Sequence, residues 1–138
     1  MSAIRPALLL CVLSLVLVAC GAQSRDSAKD FKGAERSVAA AVEDLESAAR
    51  KNEGEKVCTT LLSARLLTSL KERGTDCEAA LGDAFSDADS LDLSVDDITI
   101  RGATATVTVT SGTGSKKRND TLQLEKVGAG WRISSLAA

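Results

Sequence analysis

The chain has no histidine and no tyrosine, and its aromatic residues are Phe31, Phe85 and Trp131 alone. Histidine is the one side chain whose unperturbed pKa lies near neutrality, and it is the commonest metal ligand, so its absence removes the usual general base. Neither a Ser-His-Asp set nor a Cys-His pair can be assembled, and no Gly-rich phosphate loop occurs. With so few aromatics the interior must be filled by Leu, Val, Ile and Ala, which favours small-residue helix packing. An excess of cations is also missing: 17 Lys and Arg face 19 Asp and Glu, a net charge of −2 that offers no field for holding nucleic acid. The longest apolar run, Ala7 to Val18, is about 12 residues against the roughly 20 needed to span a bilayer. At 138 residues, 44% hydrophobic and 26% charged, the chain has room for one core and a processing segment.

That apolar run follows a single cation, Arg5, and ends in Leu17, Val18, Ala19 and Cys20, with Gly21 after it. Its length and flanks match a secretory signal. The closing tetrapeptide resembles the lipobox of bacterial lipoproteins, which implies a diacylglyceryl group on the Cys20 thiol and a mature chain that begins there. A conventional signal peptide is the alternative. Two acyl chains on one residue meet the requirement for stable anchoring, so the expected location is the extracytoplasmic face of a membrane. Cys11 lies inside the apolar run and reads as a small hydrophobe.

Cys58 and Cys77 are the remaining thiols. In an exported protein an even pair reads first as a bridge. A metal site or a redox pair is the alternative, but there is no C-x-x-C and no histidine to complete a zinc shell.

The organisation expected is a leader over residues 1–20, a polar tether over 21–27 and one α+β domain over 28–138. Phe31, Ala34, Val38, Ala41, Val42, Leu45 and Ala49 recur at helical spacing and predict a first helix over about Ser27 to Lys51, ended by Asn52 and Gly54. A helical pattern resumes at Glu55 through Val57, Cys58, Leu61 and Leu62. Ser63 is placed to cap a further turn carrying Leu66, Leu67 and Leu70, and Gly74 stops it. Thr75 or Asp76 is placed to cap a last helix carrying Cys77, Ala80, Leu81, Ala84 and Phe85.

After Ser90 the period falls to two. Ala103, Ala105, Val107 and Val109 alternate with threonines, Leu122 and Leu124 alternate with polar residues, and Trp131 and Ile133 point inward from a last strand. Val95 is out of phase with Ile98 and Ile100, so a bulge is expected near Asp96 and Asp97. Arg101 with Gly102, the tip "SGTGS", and Gly128 with Gly130 supply the turns. The expectation is a four-stranded antiparallel meander with one face covered by the preceding helices.

Helices first and a curved antiparallel sheet last, closing in "LQLEKVGAGWRISSL", resembles the nuclear transport factor 2-like, or SnoaL-like, cone fold. The combination of a lipobox, "VCTTLL", "DCEAAL", "VTVTSG" and "GWRISSL" is similar to actinobacterial lipoproteins of that superfamily. The resemblance implies a sheet wrapped around a helix as a cone whose mouth can take a small molecule. Some members are isomerase-like or dehydratase-like enzymes that place Tyr, Asp or His in the cone. None of those residues carries over here, because Tyr and His are absent and the expected inward positions Ala105, Val107, Val109, Leu122, Leu124, Trp131 and Ile133 are apolar. Such an interior suits a packed core or an apolar pocket.

Three further features invite a functional reading. The acidic residues Asp83, Asp87, Asp89, Asp92, Asp96 and Asp97 partly imitate a calcium loop, but Asp92 stands where glycine is required and Ile98 where the bidentate glutamate belongs, so a solvated helix end and strand entry explains them better. Lys116, Lys117 and Arg118 could meet anionic headgroups or simply decorate an exposed hairpin arm. Trp131 could stack on a ligand or serve as the main aromatic of a small core.

Together these point to a membrane-anchored lipoprotein whose domain is a non-catalytic binding or accessory module for an envelope protein or a small apolar ligand, with no cofactor, no metal and no nucleic acid. The competing expectation is a cone-fold enzyme with a buried carboxylate base, for which Asp96 or Asp97 is the nearest candidate. A spacer domain that positions other envelope proteins is a third.

Overall fold

The computed structural model describes residues 26–85, 92–112 and 114–136. The leader with Cys11 and Cys20, most of the tether, Asp87 and Asp89, and the tip residue Thr113 lie outside the described residues, as do the side chains of Asp83, Ala84 and Phe85.

Ser27, expected in the tether, already belongs to the domain. Ser27–Asp30 form a 3-10 turn in which Ser27 and Ala28 are buried, because the Val95 amide donates to Ser27 Oγ at 3.4 Å and the Ala28 amide donates to Glu43 Oε1 at 2.8 Å. The chain then runs extended through Phe31 and Lys32 before helix α1 starts at Gly33, so the single long helix expected from Ser27 is a turn, a break and α1, Gly33–Arg50. Alanine-rich sequence favours that helix intrinsically. Its buried stripe of Val38, Ala39, Val42, Leu45, Ala48 and Ala49 lets neighbouring backbone come close. The end is chemical: Asn52 adopts φ 55°, and the amides of Asn52 and Glu53 donate to the Ala49 and Ala48 carbonyls left over by the last turn.

Helix α2, Gly54–Lys56, continues into a π-helical turn, Val57–Leu61, closed by the Leu62 amide donating to the Val57 carbonyl at 3.0 Å. The wider turn carries Val57, Cys58 and Leu61, all buried. Helix α3, Ala64–Glu72, is capped by Ser63, whose Oγ accepts from the Leu66 amide at 3.2 Å. Helix α4, Cys77–Phe85, is capped by Asp76, whose Oδ1 accepts from the amides of Glu78 and Ala79.

The strands are β1, Leu93–Arg101; β2, Thr104–Ser111; β3, Arg118–Val127; and β4, Gly130–Leu136. They form an open antiparallel meander in the order β1-β2-β3-β4. The register slips between Val95 and Asp97, so that Val95 opposite Val109 and Ile98 opposite Val107 both reach the buried face although they are an odd three positions apart. A second slip between Ser135 and Ile133 sets Ser134 out of the β3 ladder. Ala103, expected to face inward with Ala105, lies exposed in the β1–β2 turn, where the alternation has already ended. At the β2–β3 connection Gly112 has φ +82°, and an added Cβ would lie 2.7 Å from the Lys116 carbonyl oxygen, so only glycine fits.

One core joins the α1 stripe to Leu93, Val95 and Ile98 of β1, Ala105, Val107 and Val109 of β2, Leu122 and Leu124 of β3 and Trp131 and Ile133 of β4. Helix α1 touches β1 and β4, and α3 lies against β4. Strand β4 is a sheet edge; its outer side meets Leu62 in a parallel bridge, with the Ser63 amide donating to the Ile133 carbonyl at 2.9 Å. Among the described residues no helix is long and apolar enough to cross a membrane.

Candidate functional site

Val107, Val109, Leu122 and Leu124 sit together in the core on adjacent strands, with Leu122 opposite Val107 in the β2–β3 ladder. Trp131 closes the same core at the β4 end and is 8% exposed. Its exposed fringe opens on a groove of about 440 Å³ that also involves Ala40 and Ala41 of α1, Leu61, and Val127 across the β3–β4 turn. The small alanines line this space between helix and hairpin, and Ser37, Asp44, Thr60 and Arg132 join the apolar residues in its wall. A greasy molecule or an apolar side chain of a partner is the chemistry that suits it.

Cys58 and Cys77 are joined by a disulfide with Cα atoms 6.1 Å apart. It ties the π-helical turn to the first residue of α4, two segments otherwise separated by α3.

Asp96 and Asp97 lie at the β1 bulge and both are exposed. Asp96 Oδ2 accepts from the Thr110 hydroxyl at 2.6 Å, a contact on the outer face of the sheet. They are therefore poorly placed to act as desolvated bases. Asp92 is half-buried, with Oδ1 3.9 Å from Arg50 Nη2. Lys116, in the short 3-10 turn Gly114–Lys116, and Lys117 after it are exposed, and Arg118 lies 4.0 Å from Asp120. Among the described residues no group of three or more potential acidic or thiol ligands converges on a point that could hold a metal ion.

The buried carboxylate belongs to Glu46 of α1, which is 1% exposed and is the one buried charged residue among those described. Oε1 accepts from Arg50 Nη2 at 2.6 Å and Nε at 3.1 Å, whereas Oε2 is buried without a hydrogen-bond partner. Loss of water raises the Glu46 pKa, the Arg50 guanidinium opposes that rise, and Asp92 adds a smaller push upward. Sequence reading passes over Glu46 because a glutamate four residues before an arginine looks like an ordinary exposed helix pair. Its signal was position: Glu46 falls between Leu45 and Ala49 on the same stripe as Val42.

A second groove, of about 360 Å³, runs between α3 and the end of β4. Arg65, Ser69 and Arg73 line the helix side and Ser134, Ser135 and Leu136 the strand side.

No protein-family model, no curated protein and no solved structure matches the chain.

Proposed function

We propose that the chain is a lipid-anchored extracytoplasmic protein, held to a membrane through acylated Cys20, whose α+β domain is a non-catalytic binding or accessory module. The observation that carries the binding reading is the chemistry of the sheet's buried face. Val107, Val109, Leu122, Leu124, Trp131 and Ile133 fill it with apolar side chains, so the space where a cone-fold enzyme would set out its polar groups is occupied by core. Contact with other molecules then falls to the outer grooves, and the apolar one beside Trp131 suits a small apolar ligand or an envelope protein. The anchor rests on the lipobox-like Leu17-Val18-Ala19-Cys20. The meander following four helices is compatible with a nuclear transport factor 2-like architecture, and we read the sheet as the wall of such a cone, with the helices packed on its curved face.

One observation favours the competing reading of an isomerase- or dehydratase-like enzyme with a buried carboxylate, namely Glu46 with its unpartnered Oε2. Arg50 holds the other oxygen, and Glu46 lines neither the groove beside Trp131 nor the one between α3 and β4.

The experiment is native mass spectrometry of the protein extracted in detergent from its own membrane, beside a Cys20→Ser variant. The expected wild-type species begins at Cys20, carries acyl groups and partitions with detergent, while the variant is released into the aqueous phase. A wild-type species that begins elsewhere or washes off without detergent overturns the anchor. Turnover of any copurified small molecule that is abolished by Glu46→Gln overturns the non-catalytic reading.

A further inference from the structure

We propose that the groove between α3 and β4 captures an extended acidic segment of a partner protein as an added strand on the open edge of the sheet. The proposal rests on the binding-module reading and gives that module a second, differently charged contact surface. Arg65, Ser69 and Arg73 are four residues apart in turn and all line the groove, so they form one row along α3 and its C-cap. Neither arginine has a carboxylate within salt-bridge distance among the described residues, and both are exposed. Two guanidiniums thus face a groove without internal neutralisation. The opposite wall is the end of β4, an edge strand that no further strand pairs among the described residues. Leu62 and the Ser63 amide meet that edge at Ile133, and among the described residues no isolated bridge or backbone bond of this kind reaches the stretch from Ser134 to Leu136 beyond it.

The spacing selects the occupant. The two arginines are eight positions apart, about 12 Å along the axis at a helical rise. Same-face residues four apart in an extended strand are about 13 Å apart. An acidic strand can therefore meet both cations while it lies beside β4, whereas a single small anion meets one. Ser69, Ser135 and Gln123 supply hydrogen-bonding groups between the charges, and Leu66, Leu70 and Leu136 supply apolar contact for the rest of the segment.

The test is fluorescence anisotropy of a labelled peptide of alternating glutamate and valine against the full mature protein in detergent, with a lysine–valine peptide as its counterpart. Expected are saturable binding of the acidic peptide alone, about tenfold weaker binding to the Arg65→Glu/Arg73→Glu double variant, and unchanged binding to Lys71→Glu, a cation of the same helix outside the groove. Hydrogen exchange should show new protection at residues 134–136. Unaltered Trp131 fluorescence establishes that the double variant is folded, since both arginines are exposed. Equal binding of the two peptides, insensitivity to the double variant, or displacement by millimolar inorganic phosphate overturns the proposal. So does a peptide-free dimer that the double variant dissolves, which would give the groove to a second copy of the chain. None of these outcomes touches detergent partition, so failure here is separable from failure of the anchor.

Discussion

Arg50 folds back one helical turn onto Glu46 and gives two hydrogen bonds to one oxygen: Nη2 and Nε lie 2.6 and 3.1 Å from Oε1, and Oε2 is left buried and unpartnered. The two members of the pair are unequally exposed, 1% for Glu46 and 33% for Arg50. Removing one is therefore not equivalent to removing the other.

Replacing Arg50 by methionine strands a buried carboxylate and should destabilise the fold by about 3 kcal/mol at neutral pH. Replacing Glu46 by leucine removes the buried charge and leaves Arg50 free to turn to water, so stability should hold or rise by about 1 kcal/mol. The pH dependence follows from the raised Glu46 pKa, caused first by desolvation. A folded state that binds the proton more tightly than the unfolded chain is favoured at low pH, so this group's contribution is fully present below the ordinary glutamate range. It is lost as pH rises through the raised folded value. Urea midpoints for wild type and Glu46→Leu across that window should show the variant with the flatter profile. A steeper profile in the variant would contradict the assignment.

The disulfide gives a second prediction. Cys58 and Cys77 are 19 residues apart, and closing a loop of that size stabilises the fold by about 3 kcal/mol if the effect is chiefly on the unfolded chain. The double alanine variant, or the wild type under reductant, should lose about that amount. The loss should appear first as faster hydrogen exchange in the π-helical turn and α4, the two segments that the bridge joins. Thiol titration of the unreduced, denatured protein should find neither Cys58 nor Cys77 reactive.

Much of this fold is legible in the sequence, and the parts that are not share a cause. The phase break between Val95 and Ile98 gives the β1 bulge because alternation is a local property of the strand. Ser63 and Asp76 can be read as caps for the same reason. Periodicity cannot show that the stripe starting at Phe31 is interrupted, since Phe31 packs on the core from an extended segment while α1 waits for Gly33 at φ +56°. Nor can it separate a π-helical turn from an α-helical one over Val57–Leu61. Glu46 and the α3–β4 groove depend on which elements meet, and that is decided by residues far apart in the chain. The Ser63 amide finds Ile133 seventy positions later, and no local pattern records it.

Trp131 is the only tryptophan and there is no tyrosine, which makes its emission a direct report on the core. Leu124 is fully buried in the same cluster, whereas Val127 on the same strand is 44% exposed. Leu124→Ala should cost about 3 kcal/mol and shift the unfolding midpoint followed by Trp131 emission. Val127→Ala should move it by less than about 0.5 kcal/mol. Val127 also lines the groove beside Trp131, so an apolar probe that quenches Trp131 in the wild type should bind the Val127→Ala variant more weakly although its stability is unchanged.

Ser63 holds α3 to the sheet from two sides. Its amide donates to the Ile133 carbonyl of β4 at 2.9 Å, and its hydroxyl accepts from the Leu66 amide at 3.2 Å, while the side chain itself is fully buried. Ser63→Ala keeps the first bond and removes the second, leaving an amide in the first turn of α3 without its acceptor, at a cost of about 1 kcal/mol. Thr68, also on α3, is the control: its exposed hydroxyl donates to a carbonyl, that of Ala64 at 2.9 Å, which the helix already satisfies, so Thr68→Ala should be within about 0.5 kcal/mol of wild type. Because the lost acceptor is at the start of α3, hydrogen exchange should quicken at Leu66 in Ser63→Ala and stay unchanged in the β1–β2 ladder. Uniform quickening across both would mean that Ser63 acts on global stability and not as the local hinge between α3 and β4.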